Sequence, residues 1–442
     1  MKQISIVGFG RFGKTLYHLI KDDFAVVLYD RSEIDPSTIE LTNNTVITNN
    51  LSDVYKSDVI FYAVPISTFE EVIKSHKKYF RCHLLIDVLS VKQHPETVFK
   101  KNIKTPGTQV ILTHPMFGPD STKNGFSGLQ IVMNKFVADH HNYNFWKNYF
   151  IQKGLKVIEM SAREHDQLAA DSQGVTHFIG RLLEEFKFKP TEIDTLGSKK
   201  LYEVVDQTCN DTWELFLNLQ NYNLYTKRMR LRLGQSYDRL YNRLLPKRVD
   251  SKYIVYGIQG GIGSFNEEAI LFYMDKKKVH NFKIKYLYTT EKVLKNLHEG
   301  NIDYGLFAIQ NAVGGVVQES TYAMARYKFK IIDEFAIKIR HFLMKRKEAD
   351  VKDIETIMAH PQVFKQCKST LAREYASFNL ISGEGDMIDT ANAALALVKN
   401  KVPINTAILG PFNLAKIYDL DIIGENLQDD KENFTTFFLV SR

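Results

Sequence analysis

Short apolar runs separated by helical patterns organise the first 115 residues of the chain. A helical repeat of apolar positions follows the first run, over Lys14–Ile20, and helical stretches separate the later runs. Apolar runs of this length without strict alternation are typical of strands buried on both faces. Their alternation with helices predicts a doubly wound parallel sheet of the Rossmann type, in the α/β class. The runs are 2–7, 24–29, 58–64, 84–88 and 110–112.

The segment 161–247 changes this pattern to one of helices alone. Apolar residues recur at helical spacing from Glu164 to Lys187, and a second apolar face begins at Trp213. A basic run from Lys227 to Arg232 follows. Such a run is typical of a solvated helix face, and the alternative is that it anchors an anionic substrate. We therefore expect an all-helical segment here.

A charged, proline-containing stretch from Leu244 to Lys252 predicts a domain boundary, because a new strand begins directly after it. Strands and helices then alternate to the end of the chain, which predicts a second, two-lobed α/β region. The strands expected there are 253–258, 304–309, 330–335, 356–358, 406–409 and 436–440. The predicted domains are 1–160, 161–247 and 252–442.

A glycine-rich loop joins the first strand to the first helix. Gly8, Gly10 and Gly13 have the spacing that allows a tight turn, close approach of a pyrophosphate and close packing of helix on strand. Asp30 ends the second strand, where a carboxylate accepts hydrogen bonds from a ribose and repels a 2′-phosphate. We expect NAD as the cofactor, with NADP as the alternative because Arg31 follows Asp30. The residues expected to bind it are Gly8, Gly10, Arg11, Phe12, Gly13, Asp30 and Arg31.

His114 and Ser90 follow neighbouring strands of this sheet. The carboxyl ends of parallel strands meet at the edge where such sheets bind ligands, so both side chains are expected beside the cofactor loop. An imidazole at that edge is suited to take a hydroxyl proton as hydride leaves a substrate carbon. The alternative is a capping serine and a loop histidine without catalytic roles. The glycine loop favours the catalytic interpretation.

Composition narrows the classes of function. Cys82, Cys209 and Cys367 are the three cysteines among 442 residues, and their wide separation indicates a reducing cytoplasm and no metal site. No apolar run is long enough to span a bilayer, and the first residues predict a strand rather than a signal peptide. The net charge of +7 is mild, and no basic stretch is interleaved with aromatic residues. We expect a cytoplasmic protein that acts on small anionic molecules and has no nucleic-acid or membrane partner.

Several motifs occur together in the first half of the chain: Asp87–Lys92, Thr113–Pro119, Lys123–Gly125, Glu164–Asp166, Ala169–Arg181 and Asp211–Asn223. With them, residues 1–245 resemble prephenate and arogenate dehydrogenases, most of all the plant-type arogenate branch. The resemblance implies that His114 is the catalytic base and that Ser90 binds the ring hydroxyl of the substrate. It implies that His177 lies in the substrate pocket, and Arg181 is the candidate for a substrate carboxylate. Members of the family dimerise through a helical domain, so we expect a homodimer.

A second group of motifs lies beyond the predicted boundary: Gln259–Ala269, Ala308–Gly315, His360–Gln362, Gln366–Cys367, Ala407–Gly410, Glu425–Asp429 and Asn433–Phe437. With them, residues 253–442 are similar to the catalytic region of prephenate dehydratases. The similarity implies that Ser264 and Asn311 bind the substrate. It also implies that Thr435 is the catalytic acid.

Three positions depart from the dehydratase pattern. Gln310 and Ala312 replace the glutamate and serine of a Glu-Asn-Ser motif, and Thr436 replaces the arginine of a Thr-Arg-Phe motif. We expect these changes to remove charge-assisted contacts from a polar pocket. Members of the family usually carry a further amino-acid-sensing domain, which we do not expect because the chain ends soon after these motifs.

The leading prediction is a bifunctional enzyme of aromatic amino acid biosynthesis. One half would carry out the NAD(P)-dependent oxidative decarboxylation of prephenate or arogenate, and the other would dehydrate prephenate. One alternative keeps the dehydrogenase and makes the second half a ligand-binding regulatory module. Another is a dehydrogenase of simple 2-hydroxy or 3-hydroxy acids, which the match around His114 disfavours.

Overall fold

The computed structural model describes residues 2–383 and 390–442. The chain divides into two compact units, residues 1–239 and residues 240–442. Within the described residues, no helix combines the length and the apolar character needed to cross a membrane. The predicted domains 1–160, 161–247 and 252–442 stay a prediction.

The first unit combines a sheet with surrounding helices. Its strands are β1 (Gln3–Val7), β2 (Ala25–Tyr29), β3 (Thr45–Ile47), β4 (Val59–Tyr62), β5 (Leu84–Asp87), β6 (Gln109–Pro115), β7 (Gln130–Val137) and β8 (Lys156–Glu159). The helices that begin in it are α1 (Arg11–Ile20), α2 (Leu51–Val54), α3 (Ile66–His76), α4 (Gln93–Asn102), α5 (His140–Gln152), α6 (Ala162–Ala169), α7 (Val175–Glu185), α8 (Leu196–Cys209), α9 (Trp213–Tyr222) and α10 (Thr226–Leu244). A π-helical segment, Ala170–Gly174, joins α6 to α7, and short 3₁₀ turns lie at Pro36–Thr38, Lys77–Tyr79 and Pro119–Thr122.

The sheet has eight strands in the order β3-β2-β1-β4-β5-β6-β7-β8. Strands β1 to β6 pair in parallel, and β7 pairs antiparallel with β6. The predicted doubly wound parallel sheet is confirmed for the strands up to β6. The short, half-exposed β3 and the strands β7 and β8 were not among the predicted runs.

Alternate residues of the central strands enter separate cores on the two faces of the sheet. Phe61 of β4 and Ile86 of β5 belong to one core, whereas Ile60 and Leu85 belong to the other. Because successive side chains of a strand point to opposite faces, both faces must be covered by helices. This double burial explains why the strands are continuous apolar runs in the sequence.

Strand β6 continues beyond the apolar run that predicted it. His114 and Pro115 pair with Val132 and Ile131 of β7, so the strand ends at Pro115 rather than at Leu112. The pairing places the His114 ring in the buried end of a strand, where its side chain is 3% exposed. The antiparallel partner therefore decides the surroundings of His114.

The second unit contains two sheets. Its strands are β9 (Ile254–Ile258), β10 (Phe282–Tyr286), β11 (Tyr304–Asn311), β12 (Gly315–Val316), β13 (Lys330–Lys338), β14 (Phe342–Lys345), β15 (Thr356–Ala359), β16 (Asn379–Ser382), β17 (Thr406–Gly410), β18 (Asp421–Gly424) and β19 (Phe434–Ser441). Its helices are α11 (Phe265–Lys277), α12 (Thr290–Glu299), α13 (Gln318–Met324), α14 (Pro361–Gln366), α15 (Lys368–Glu374), α16 (Thr390–Val398) and α17 (Asn413–Tyr418), with a 3₁₀ turn at Val351–Asp353.

The two sheets form the two lobes that the sequence predicted. One has the order β10-β9-β11-β19-β13, with β12 paired to β11, and the other has the order β16-β15-β17-β14-β18. The last strand, β19, returns to the first lobe and lies antiparallel between β11 and β13. Motifs that are 124 residues apart, at Asn311 and Thr435, therefore become neighbours.

Candidate active sites

The glycine loop of the first unit needs its glycines for steric reasons. Gly8 has a φ of +95°, and a Cβ on it would lie 2.5 Å from the carbonyl oxygen of Ala63. A Cβ on Gly13 would lie 2.2 Å from the carbonyl oxygen of Gly8. Gly10 is the N-cap of α1 and provides no side-chain cap, so the first N–H groups of the helix are left for a ligand.

Asp30 lies directly beside this loop. One of its carboxylate oxygens accepts a hydrogen bond from the Phe9 backbone N–H at 2.6 Å, and the other accepts from the Ser32 N–H at 2.9 Å. Arg31 is exposed at the end of β2. The ring of Phe12 packs against Phe117 with a centroid separation of 6.2 Å. The carboxylate and the loop together have the arrangement that holds the ribose and pyrophosphate of a dinucleotide.

The Arg11 guanidinium has partners on two other loops of the same unit. It forms ion pairs with Asp120 at 3.1 Å and Asp211 at 3.0 Å, and it donates to the carbonyl oxygen of Asn210 at 3.0 Å. In this structure Arg11 therefore links the glycine loop to the loop after β6 and to the loop between α8 and α9. Its predicted role in binding the cofactor stays a prediction.

His114 belongs to a buried chain of hydrogen bonds. Its Nδ1 lies 2.8 Å from Nε2 of His165, and Nδ1 of His165 lies 2.8 Å from Oδ1 of Asp166. The carboxylate of Asp166 also accepts hydrogen bonds from the backbone N–H groups of Lys92, at 2.7 Å, and Gln93, at 2.9 Å. His165 and Asp166 are 2% and 0% exposed, so water does not compete with these bonds.

This chain of bonds sets the tautomer of His114. Both oxygens of Asp166 accept from backbone donors, so the Nδ1–H of His165 donates to the carboxylate and its Nε2 is left as an acceptor. The Nδ1–H of His114 then donates to that acceptor. The remaining ring nitrogen of His114, Nε2, carries a lone pair and is the atom that can take a proton from a ligand.

Burial keeps both histidines neutral. Loss of hydration lowers the pKa of His114 well below its ordinary value of 6.5, and the nearby His165, Lys92 and His177 lower it further. Burial also lowers the pKa of His165. His114 is therefore an unprotonated imidazole at neutral pH, which is the state a general base requires.

An ion pair between Asp87 and Lys92 lies beneath this chain. Lys92 Nζ donates to the Asp87 carboxylate and to the carbonyl oxygen of Thr113, and all three residues are 0% exposed. Burial raises the pKa of Asp87 to about 6 and lowers the pKa of Lys92. The pair joins the end of β5 to the strand that carries His114.

Ser90 lies in the loop between β5 and α4, at the same edge of the sheet as His114. No described protein group forms a hydrogen bond with its hydroxyl, which is half-buried. His177 lies on α7, close enough to His114 to influence its pKa. The structure therefore brings His114, Ser90 and His177 into one region of the first unit.

Arg181 is held within the fold. Its terminal nitrogens donate to Glu184 and to the carbonyl oxygen of Asp211, and its guanidinium stacks 4.7 Å from the ring of Trp213. The buried Nε–H of Arg181 has no hydrogen-bond partner among the described residues. Bidentate hydrogen bonding of Arg181 to a substrate carboxylate would require these contacts to change.

Sequence reasoning missed the residues that support His114. His165, Asp166 and Lys92 belong to sequence motifs that do not by themselves indicate a role for these residues. The signal available was the run of titratable residues Glu164–Asp166 followed by polar residues at intervals of four. Their partners lie 51 and 74 residues away, so only the folded chain shows what they contact.

The second unit contains a cleft of about 1420 Å³ lined by residues of both lobes. Ser264, Asn311 and Thr435 line it from the first lobe, and Gln362 and Gln366 line it from the second. Ser264 is the N-cap of α11, where its hydroxyl accepts from the backbone N–H of Glu267 at 3.4 Å. The three predicted dehydratase residues therefore share one cleft.

Hydrogen bonds orient Thr435 in this cleft. The Asn311 side chain donates to the Thr435 hydroxyl oxygen at 2.9 Å and to Oδ1 of Asn433 at 2.6 Å. The side chain of Asn433 donates in turn to Gln366 of the second lobe at 2.7 Å. Because the Thr435 oxygen accepts from Asn311, the proton of Thr435 is left to donate to a ligand.

Gln310 and Thr436 do not line the cleft, contrary to the expectation drawn from the sequence. They face each other across β11 and β19, as Asn311 and Thr435 do at the next position. Since successive side chains point to opposite faces, the two pairs lie on opposite sides of the sheet. Gln310 and Ala312 are exposed. The changes at Gln310 and Thr436 therefore affect the face of the sheet that is turned away from the cleft.

Three family models match the chain. Residues 20–158 match the nucleotide-binding domain of prephenate dehydrogenase, and residues 256–442 match prephenate dehydratase. Residues 182–252 match a domain described as TYRAAT1-like, C-terminal domain. The first and last of these matches cover the two sites described above.

Curated relatives divide in the same way. Arogenate dehydrogenase 1, chloroplastic, of Arabidopsis thaliana is 35% identical over 231 residues, which are 50% of this chain and 36% of that protein. Arogenate dehydratase/prephenate dehydratase 2, chloroplastic, of the same plant is 25% identical over 209 residues, 45% of this chain and 52% of that protein. The chain thus spans about half or less of the length of each of these two relatives.

A solved structure of prephenate dehydrogenase from A. aeolicus, in complex with hydroxyphenyl propionate and NAD+, has a TM-score of 0.42 and 16% identity. It covers 63% of this chain and 96% of that chain. The family matches and the relatives agree on the division of the sequence. One segment of this polypeptide is therefore similar to prephenate and arogenate dehydrogenases, and a second segment is similar to prephenate dehydratases.

Proposed function

We propose that the first unit oxidatively decarboxylates prephenate or arogenate and that the second dehydrates prephenate. The observation that carries the first activity is the lone pair on Nε2 of His114, which the chain through His165 to Asp166 leaves at the substrate edge of the sheet. The relatives of the two segments are named for these activities. Both units would then act on closely related molecules.

In the dehydrogenase reaction, His114 takes the proton of the C4 hydroxyl as the C4–H bond breaks. A nicotinamide dinucleotide held by the glycine loop of Gly8, Gly10 and Gly13 and by Asp30 would accept the hydride from C4. The bond from C1 to its carboxylate then breaks, and its electron pair makes the ring aromatic as carbon dioxide departs. His114 returns its proton to the phenolate oxygen, so there is no net release of protons. In this proposal Ser90, in the loop after β5, holds the ring hydroxyl at His114.

The His114→Ala variant should lower turnover by about 10²–10⁴-fold, because this is the usual contribution of a general base. NADH formation measures the effect, and the His141→Ala variant, altered at an exposed position of α5, is the matched control. Since burial lowers the pKa of His114, the base stays unprotonated below pH 6.5 and the acid limb of kcat/KM should lie below that value. Near wild-type turnover in the variant, or an acid limb at or above pH 7, would show that another group is the base.

For the cofactor, we propose that Asp30 holds the adenosine ribose and makes NAD the preferred nucleotide. Its carboxylate lies beside the glycine loop, where a 2′-phosphate would meet a like charge. Replacing Asp30 by serine should shift the ratio of kcat/KM values toward NADP, because Arg31 is then free of a competing carboxylate. The Asp22→Ser variant, at an exposed acidic residue, should leave the ratio unchanged. A wild-type enzyme that prefers NADP would contradict this assignment.

We also propose that the protein is a homodimer that associates through the helices of the first unit. Large apolar side chains are exposed on and around α7 and α10, including Phe186 at 76%, Ile193 at 90% and Leu231 at 62%. Exposed apolar surface of this extent is typical of association sites. Sedimentation velocity at micromolar concentration should give the mass of two chains. A monomer at that concentration would contradict the proposal.

The dehydratase proposal rests on the side of the sheet that faces the cleft, where Asn311 and Thr435 are both retained. Thr435 would protonate the C4 hydroxyl as the C–O bond breaks, so that water and carbon dioxide leave and the ring becomes aromatic. Asn311 holds the Thr435 oxygen in place, and solvent returns the proton. The family's glutamate and arginine would face each other as a cross-strand pair away from the cleft. Their joint replacement by Gln310 and Thr436 removes a pair contributing about 0.2–1 kcal/mol to sheet stability.

The test compares two neighbouring threonines in the full-length protein. The Thr435→Val variant should lower the formation of phenylpyruvate from prephenate by about 10²–10⁴-fold. The Thr436→Val variant should retain the activity, because its side chain is on the other face of β19. Omitting nicotinamide separates this reaction from the dehydrogenase. If the wild-type protein forms no product above the spontaneous rate, but the Thr435→Val change weakens prephenate binding measured by calorimetry, the second unit is a binding module.

A further inference from the structure

A chain of buried hydrogen bonds in the second unit runs from Thr435 to His341. From the Thr435 hydroxyl it passes to Asn311 over 2.9 Å, and from Asn311 to Asn433 over 2.6 Å. It continues from Asn433 to Gln366 over 2.7 Å, and Oε1 of Gln366 lies 2.7 Å from Nε2 of His341. None of the five residues is more than 8% exposed, so water does not compete with these bonds.

Backbone donors fix the direction of the bonds in this chain. Oδ1 of Asn311 accepts from the backbone N–H groups of Val313, at 3.1 Å, and Gly314, at 2.6 Å. A backbone N–H can only donate, so the atom of Asn311 that faces these groups is its oxygen. The amide nitrogen of Asn311 is therefore the atom that donates to Thr435 and to Oδ1 of Asn433.

The same reasoning assigns the atoms of Gln366 and His341. Because Oδ1 of Asn433 accepts from Asn311, the N–H2 group of Asn433 donates to Gln366, and the Gln366 atom that receives this bond is the oxygen. Nε2 of His341 faces the same oxygen, so it must carry a proton and donate. Burial lowers the pKa of His341 to about 4, so the ring is neutral at pH 7 and holds its proton on Nε2.

His341 is held in place by contacts of its own backbone and ring. It lies in the connection between β13 and β14, which joins the two lobes. Its backbone N–H donates to Oε1 of Gln428 at 3.1 Å, and its carbonyl oxygen accepts from the backbone N–H of Leu427 at 3.0 Å. The ring of Phe265 packs edge-on against the imidazole with a centroid separation of 5.1 Å. The imidazole is therefore fixed where its Nε2–H reaches Gln366.

The bonds to Gln366 decide which part of its amide is left for a ligand. Gln366 and Thr435 line the same cleft. Oε1 of Gln366 is occupied by two donors, and no described protein group accepts a hydrogen bond from its N–H2 group. Without the donor on His341, one hydrogen bond instead of two would hold the amide in this orientation.

Resting on the proposed dehydratase function, we propose that His341 is a positioning residue for that reaction. It donates a hydrogen bond to Gln366 and so keeps the amide N–H2 group of Gln366 available to the ligand in the cleft that Thr435 lines. His341 acts through Gln366 and takes no part in the proton transfer from Thr435.

The first arm of the test measures phenylpyruvate formation from prephenate in full-length variants. The amide nitrogen of glutamine lies as many bonds from Cβ as Nε2 of histidine, whereas that of asparagine lies one bond nearer. His341→Gln should therefore keep the donor to Gln366 and retain the activity. His341→Asn should lower kcat/KM about 10-fold, the effect expected for one hydrogen bond between uncharged groups. The His280→Asn variant, at an exposed histidine of the same unit, should behave as wild type.

The second arm measures binding without turnover. Phenylpyruvate lacks the ring hydroxyl that the first unit is proposed to hold, so its binding by calorimetry reports on the second unit. His341→Asn should weaken this binding about 10-fold, and His341→Gln should leave it unchanged. If the wild-type protein forms no phenylpyruvate from prephenate, the proposed dehydratase function fails, and the binding arm still decides the role of His341.

Thermal unfolding of each variant separates positioning from folding. A purely structural role would lower the stability and the activity of both variants together, without the advantage of glutamine over asparagine. Equal activity and equal affinity in the His341→Gln and His341→Asn variants, whether high or low, would overturn the proposal. A wild-type protein that neither forms nor binds phenylpyruvate would overturn it as well.

Discussion

The arrangement of the candidate site around His114 depends on the hydrogen bonds of the buried Asp166 carboxylate. It accepts hydrogen bonds from the backbone of Lys92 and Gln93 and from the ring of His165, so it joins the start of α4 to α6. A carboxylate is removed from water at high cost unless its oxygens are bonded. These donors offset that cost, and the same bonds orient the ring of His165. The ring of His165 in turn orients His114 through the hydrogen bond between the two rings.

A second buried charge pair fixes the strands beneath. Asp87 and Lys92 are enclosed between the ends of β5 and β6, and Lys92 also bonds to the carbonyl oxygen of Thr113 beside His114. Removing one partner of such a pair typically costs about 3–5 kcal/mol, because the other charge is left buried and unpaired. The short segment from Asp87 to Gln93 thus supplies both members of this ion pair and the two backbone N–H groups that donate to Asp166. Through them it ties the sheet edge to the helix that carries His165.

In the second unit, the arrangement of the cleft depends on the alternation of side chains along two strands. Asn311 and Thr435 face the cleft, and Gln310 and Thr436, the next residues on the same strands, face away from it. Read along the chain, the replaced residues look like damage to a catalytic motif. Read across the sheet, they change one surface pair while the bonds that orient Thr435 are kept. The register between β11 and β19 is what separates these two interpretations.

The sequence by itself determined the doubly wound sheet, the glycine loop and the two-lobed second unit. These follow from local patterns of apolar runs and glycines, because each local choice agrees with the fold. It also placed His114 and Ser90 on one edge through the order of the strands. Only the tertiary structure decided that His165 and Asp166 set the tautomer of His114, and that Arg181 is held by Glu184. The physical reason is that these roles depend on contacts between residues far apart in the chain, and on burial that no local pattern reports.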